Sequence, residues 1–430
     1  MSQRPTLSRV TRRLIPFAFL CYVVAYIDRV NVGFAAASLQ RDLGISATNY
    51  GIGAGLFFLG YCLFEIPSNI ILERVGARLW IARIMIGWGL VSMATMFVSG
   101  VTSFMVARFV LGVAEAGFFP GMILYLTYWI PAAERAKTGA LFMMAAPVAV
   151  IVGAPLSEAL LQLDGWLGLR GWQWLFVLEG LPAVVLGLLA LVVLSDRPET
   201  APWLAPEERQ WLADTLAAER ASQPSHNATW IRDSLTNRRV WILCAVFFMH
   251  SVVNYGIFLW LPTLVREVTG ARGLTLTIAT GLPFVVALAA MVWVGRHSDR
   301  SGERRLHVAG CAITAAMGLV LAVASKNNLW LLTASFALSQ IGLRSFAGVF
   351  WAIPPQIVTG TAAAAGIALI NSIGNLGGFF GPTLVGALYD ATGGYTGGLL
   401  ALTAALIIEA LLVLTLQLPP TASAIGTDRR

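Results

Sequence analysis

The sequence predicts an all-helical integral membrane protein with twelve transmembrane helices in two sets of six. Three observations predict it: an apolar composition, a series of segments each long enough to cross a bilayer, and a one-sided distribution of arginine. Of 430 residues, 57% are hydrophobic and 12% are charged, more apolar surface than a water-soluble domain of this length keeps from solvent. A helix needs roughly 20 mostly apolar residues to cross the hydrocarbon. Such segments fall near residues 14–36, 50–72, 79–99, 102–127, 136–160 and 173–195, and again near 240–262, 275–296, 306–325, 329–351, 362–388 and 396–417.

An even number of crossings puts both termini on one side. With that side cytoplasmic, its loops and tails hold Arg4, Arg9, Arg12, Arg13, Arg74, Arg78, Arg135, Lys137, Arg296, Arg300, Arg304 and Arg305 among others. The opposite side keeps Arg41, Arg170, Arg266, Arg272 and Lys326. Positive residues stay on the cytoplasmic side, so this asymmetry sets the orientation. It also accounts for the net charge of +7 without a nucleic-acid partner. Behind the N-terminal arginines the apolar run continues through Asp28 and Arg29 with no small-residue cleavage site, which reads as a retained first span.

The longest polar interruption, 196–239, separates an N-terminal six-helix half (1–195) from a C-terminal one (240–418), with a cytoplasmic tail at 419–430. Within that linker, Glu207 to Arg220 is compatible with a short amphipathic helix lying on the membrane surface. Cys21, Cys62, Cys244 and Cys311 all sit in apolar segments without metal or redox spacing, so they read as packing residues. The four histidines are scattered, and no nucleophile or metal cluster is legible. The expectation is therefore no enzyme activity, no metal and no cofactor.

The halves repeat. One loop reads Glu73-Arg74-Val75-Gly76-Ala77-Arg78, and its counterpart runs from Gly295 through Asp299, Arg300 and Gly302 to Arg304 and Arg305. Glu73 to Asp299 and Gly76 to Gly302 are both 226 positions apart, and Pro155 precedes Pro382 by 227. Repeats in parallel register are a transporter signature. In each loop the glycine permits a tight turn, the acid can accept hydrogen bonds from a helix N-terminus or an arginine, and the arginines anchor to the cytoplasmic surface. Such loops could hold one access state and release in another; the alternative is a basic topogenic loop.

Charges inside the spans carry the strongest functional signal. Arg108 and Glu115 are seven residues apart, hence on one helix face about 10.5 Å from each other. An ion left in hydrocarbon costs at least ~2.5–3.5 kcal/mol, so such residues face a polar cavity or a partner helix. The bland alternative is a charge pair that only locks two helices together.

On these residues, the chain resembles the major facilitator superfamily, a twelve-helix fold with two halves around a central cavity. Gly295 to Arg305 matches that family's loop motif, while the first copy departs from it at Asn69 and Glu73, where glycine and aspartate are usual. More narrowly, it resembles the anion:cation symporter branch. That resemblance rests on Tyr26-Ile27-Asp28-Arg29-Val30-Asn31, Phe64-Glu65-Ile66-Pro67-Ser68-Asn69, Gly112 to Gly121, Leu178-Glu179-Gly180-Leu181-Pro182 and Asn371 to Gly378. Members carry tartrate, galactonate, glucarate, phthalate or hydroxyphenylacetate with protons.

The resemblance implies uptake of a small hydroxylated carboxylate, tartrate or a sugar acid, by proton-coupled symport through the bacterial inner membrane, with the proton as coupling ion. A carrier of aromatic carboxylates is the alternative, and a monomer is expected. By the same resemblance Asp28 and Glu115 are protonation sites, Arg29 the substrate-carboxylate anchor and Arg108 the coupling charge. Asp28 and Arg108, at similar depth, are expected partners. Tyr26, Tyr61, Trp351 and Asn371 fall on positions the family uses for substrate; Tyr61 and Trp351 are equally readable as packing. Glu65, Glu179 and Glu409 read as structural acids and His250 as a packing residue; Arg344 matches no position the family uses, and either adds positive field to the cavity, which would favour a dianionic substrate, or pairs with an acid elsewhere.

Overall fold

The computed structural model describes residues 3–221, 235–325, 328–357 and 361–417, nearly all helical, with no strand among them. The middle of the linker (222–234), Lys326 and the tail lie outside the described residues. In chain order the helices are α1 (Gln3–Leu43), α2 (Ala47–Val75), α3 (Ala77–Ala94), α4 (Val101–Glu115), α5 (Phe118–Thr127), α6 (Ala132–Met143), α7 (Ala145–Leu161), α8 (Gly171–Val193) and α9 (Pro206–Ala221). They continue as α10 (Arg238–Thr269), α11 (Gly273–Ser301), α12 (Arg305–Ser325), α13 (Leu329–Phe350), α14 (Pro354–Ile357), α15 (Thr361–Asn375), α16 (Gly377–Thr392) and α17 (Thr396–Leu414).

Among the described residues, eleven helices are long and apolar enough to cross a membrane. The crossing expected near 362–388 is made of α15 and α16, which break at Leu376 into pieces of 15 and 16 residues. The cause is the glycine run around the break, since each glycine weakens a helix by about 1 kcal/mol relative to alanine. The same glycines let this segment press on α10: a Cβ at Gly377 would meet the Phe248 carbonyl, and one at Gly381 the Val252 carbonyl.

The chain forms two compact units, one of Met1–Ile45 and Leu56–Pro224, the other of Ser46–Gly55 and Ser225–Arg430. In the first, α1 packs on α7 and α8, and α3 packs on α8 and α4. In the second, α12 packs on α13 and α17, α11 on α13, and α10 on α15, α16 and α17. The first turns of α2 belong to the second unit, where Asp390 of α16 accepts the amides of Ala47 and Thr48 at 3.2 and 2.8 Å and so caps α2.

The linker helix differs from its expected setting. Leu212 and Leu216 of α9 are buried, so its apolar side is covered by the first unit instead of being left to the bilayer surface. Two ion pairs hold it: Glu208 with Arg9 of α1 at 2.7 Å, and Glu219 with Arg135 of α6 at 2.9 Å. Trp203, just before α9, stacks on Trp129 with ring centroids 5.3 Å apart.

Two glycines set how closely α2 and α4 approach. Gly112 of α4 lies against the carbonyl of Phe57 on α2, and Gly60 of α2 against that of Phe109 on α4. Gly112→Ala is expected to cost about 1–3 kcal/mol, because the methyl has no room against backbone. Differential scanning of the purified protein should show a lowered Tm. Gly139→Ala, with nothing within 4 Å of its added carbon, should leave Tm unchanged or raised.

Candidate functional site

The close packing of α2 on α4 brings the charged residues of three helices together within the first unit. Arg29 of α1 donates from Nε to Glu115 Oε1 at 2.8 Å. The Glu115 side chain is wholly buried and that of Arg29 is 13% exposed. Phe57 lies between the two arginines, its ring centroid 5.4 Å from the Arg29 guanidinium carbon and 5.2 Å from that of Arg108. Tyr61, one turn further along α2, places its ring 5.0 Å from Arg29, and Tyr26 of α1 is 6.0 Å away. Aromatic faces attract a cation without discharging it, so the guanidinium keeps its charge.

Glu115 is held in an unfavourable place by itself. It ends α4, where the helix dipole is negative and repels a carboxylate. The chain then breaks: Ala116 is extended, and Gly117 takes φ 85°, a conformation that favours glycine. Arg29 supplies the compensating charge.

Asp28 is also buried, but its bonded neighbours are neutral. Its Oδ1 accepts from Asn31 Nδ2 at 3.0 Å and from the Ser92 hydroxyl of α3. Arg108 and Arg29 both act on it through space, as they do on Glu115. Four groups expected to work together therefore do meet: Asp28, Arg29, Arg108 and Glu115 share one buried electrostatic field, in which the bonded ion pair is Arg29 with Glu115. Buried carboxylate oxygens without a hydrogen-bond partner among the described residues include Asp28 Oδ2 and Glu115 Oε2. Such atoms are costly, and they mark where a proton or a polar ligand group can be accommodated.

Two further members of this cluster carry no functional assignment from sequence. Glu65 is buried and interacts electrostatically with Arg29. The signal was its spacing: 57, 61 and 65 recur every four residues, one stripe on α2. Glu179 of α8 accepts from the Ser157 hydroxyl of α7 at 2.7 Å and interacts with Asn31. It therefore extends the Asp28 network to α7 and α8. No sequence spacing linked these helices.

The second unit holds the remaining candidates. Trp351, half-buried, meets Phe247 and Phe350 edge to face at 5.1 and 5.3 Å. Asn371 is half-buried on α15. His250 of α10 lies 3.5 Å from the buried carboxylate of Glu409 on α17 and stacks on Phe346 at 3.7 Å.

The two loop copies are built differently. In the first, Gly76 has φ 100° and the carboxylate at the start of α3 is Asp196, whose Oδ1 accepts the Arg78 amide at 2.8 Å. Glu73 and Arg74 are exposed. In the second, Gly302 has φ 68°, and Asp299 Oδ1 accepts from Arg304 Nη2 at 2.7 Å. Arg304 also donates to Ser298 Oγ at 2.9 Å, while Gly295 lies within α11 and Arg300 in its exposed last turn. Across this loop His297 Nδ1 and His307 Nε2 are 2.7 Å apart.

Comparison with known proteins places this architecture. A protein of Agrobacterium vitis named "Putative tartrate transporter" is 48% identical over 413 residues, covering 96% of this chain and 94% of that one. The "Putative metabolite transport protein NicT" of Pseudomonas putida is 41% identical over 410 residues, covering 95% and 94%. Among solved structures, a bacterial homologue of the human lysosomal transporter Spinster, inward-facing and occupied, superposes with a TM-score of 0.75 at 17% identity, covering 93% of this chain and 95% of that one. The family description Major Facilitator Superfamily matches residues 18–354 and again 271–429. A multi-span helical chain with this duplication and these relatives belongs to the Major Facilitator Superfamily, and it is a membrane transporter, not an enzyme.

Proposed function

We propose that this transporter takes up a small hydroxylated carboxylate, tartrate or a sugar acid, together with protons, by alternating access through the bacterial inner membrane. The observation that carries the reading is the buried Arg29–Glu115 pair. A cargo carboxylate that binds Arg29 displaces Glu115 from it. An ionised carboxylate left in that setting without its cation is costly, so cargo binding and proton uptake at Glu115 favour each other. That reciprocity is what symport requires.

Asp28 serves as the second proton site, and Arg108, acting on both acids through space, as the charge that couples them. Tyr26, Tyr61, Trp351 and Asn371 contribute directional hydrogen bonds to the hydroxyls of the cargo. The loops around Gly76 and Gly302 serve as gates, Asp299–Arg304 being the bonded element of the second. The names carried by the Agrobacterium vitis relatives support a tartrate-like cargo. On this reading the working unit is a monomer with both termini cytoplasmic, and 196–239 links the halves.

Reconstituted vesicles test it. Labelled tartrate or galactonate should accumulate when the outside is acidic, and a protonophore should abolish the accumulation. Flux indifferent to the gradient would indicate a channel, and preferential uptake of hydroxyphenylacetate would indicate a carrier of aromatic acids.

A further inference from the structure

Arg344 stands in the interior of α13, a helix apolar over most of its length. It is half-buried, and its bonded partners are all neutral. Nη2 donates to Asn254 Oδ1 of α10 at 2.5 Å, and Nε donates to Gln340 Oε1, one turn back on α13, at 3.0 Å. The Phe284 ring of α11 flanks the guanidinium, 5.3 Å from centroid to carbon. Among the described residues no carboxylate forms an ion pair with it. Arg29, by contrast, has Glu115.

This arrangement aims the guanidinium without neutralising it. Two amide oxygens on two helices fix its plane and the aromatic ring covers one side, yet the full charge remains. Gln340 is completely buried, and its Nε2 has no acceptor among the described residues, so a second donor without an acceptor stands next to the first. If the cluster served only to bridge α10 and α13, a neutral donor would suffice at far lower cost in a bilayer. A planar fork of N–H groups at full charge, beside an amide N–H lacking an acceptor, is chemistry for a carboxylate.

We propose that Arg344 binds a carboxylate of the cargo and that the preferred cargo is a dicarboxylate. This assignment rests on the organic-anion function proposed for the chain and narrows it.

The test compares tartrate with its monoamide, which has nearly the same shape and one charge fewer. Binding is measured on the purified full-length protein by calorimetry and by ligand-induced shifts in Tm. The native chain should bind tartrate at least about tenfold more tightly than the monoamide, one charge-assisted contact being worth that factor. Arg344→Gln should lose that advantage, with affinity for the monoamide changed by less than about threefold, and Arg344→Lys, which keeps the charge but not the fork, should fall between.

Equal losses for both ligands in Arg344→Gln, or no loss, would overturn the proposal, as would a native chain without preference. Lys as well as Gln variants eluting as monodisperse protein guards against misfolding as the cause. Arg29→Ala run alongside separates the two readings. If it binds both ligands normally while Arg344→Gln loses affinity for tartrate but not for the monoamide, the Arg29 anchor fails and the Arg344 site stands.

Discussion

Glu115→Gln is expected to abolish accumulation against a concentration gradient while leaving exchange of cargo across the membrane. The substitution keeps the shape and a hydrogen-bonding group beside Arg29, which Glu115 now meets at 2.8 Å, but removes the group that exchanges the proton. In a coupled carrier the steady-state accumulation ratio of labelled cargo is set by the imposed proton gradient, and in this variant it should fall to near one. Counterflow, measured with unlabelled cargo inside the vesicles and no gradient, should persist. Retained gradient-driven accumulation would remove Glu115 from the coupling step.

Arg29→Ala should remove binding of every anion tested. Hydrogen bonds to a charged group are worth about 1.5–3 kcal/mol, which corresponds to roughly 10–150-fold in Kd. The same change strips the wholly buried Glu115 of its cation, and breaking a buried pair on one side costs about 3–5 kcal/mol. The single variant should therefore be both inactive and less stable. The double variant Arg29→Ala with Glu115→Gln separates these effects: Tm should recover, because no buried ion is left without a partner, whereas binding should not. If the double variant binds cargo, Arg29 is not its anchor.

Intramembrane charges announce themselves in a sequence because bilayer insertion penalises them individually, and Asp28, Arg29, Arg108 and Glu115 are each legible for that reason. Their pairing is not. Similar depth suggests Asp28 with Arg108, yet the bonded pair is Arg29 with Glu115, while Asp28 takes neutral donors from Asn31 and Ser92. Distances between side chains on different helices depend on how closely the backbones approach, as Gly112 against Phe57 sets it for α4 and α2. Asp196 at the start of α3, 118 positions from Arg78, is a case of the same kind.

Residue order along the chain determined the apolar spans, the repeated loop and the motifs that carry the family resemblance, since each is a property of a local stretch of sequence. Packing alone decided that α9 docks on the first unit, that Glu65 and Glu179 join the charged network, and that Arg344 is aimed by neutral partners. The physical reason is that bilayer partitioning acts on one segment at a time, whereas hydrogen bonds and ion pairs need two groups within about 3–4 Å, a condition on the folded chain that no single segment contains.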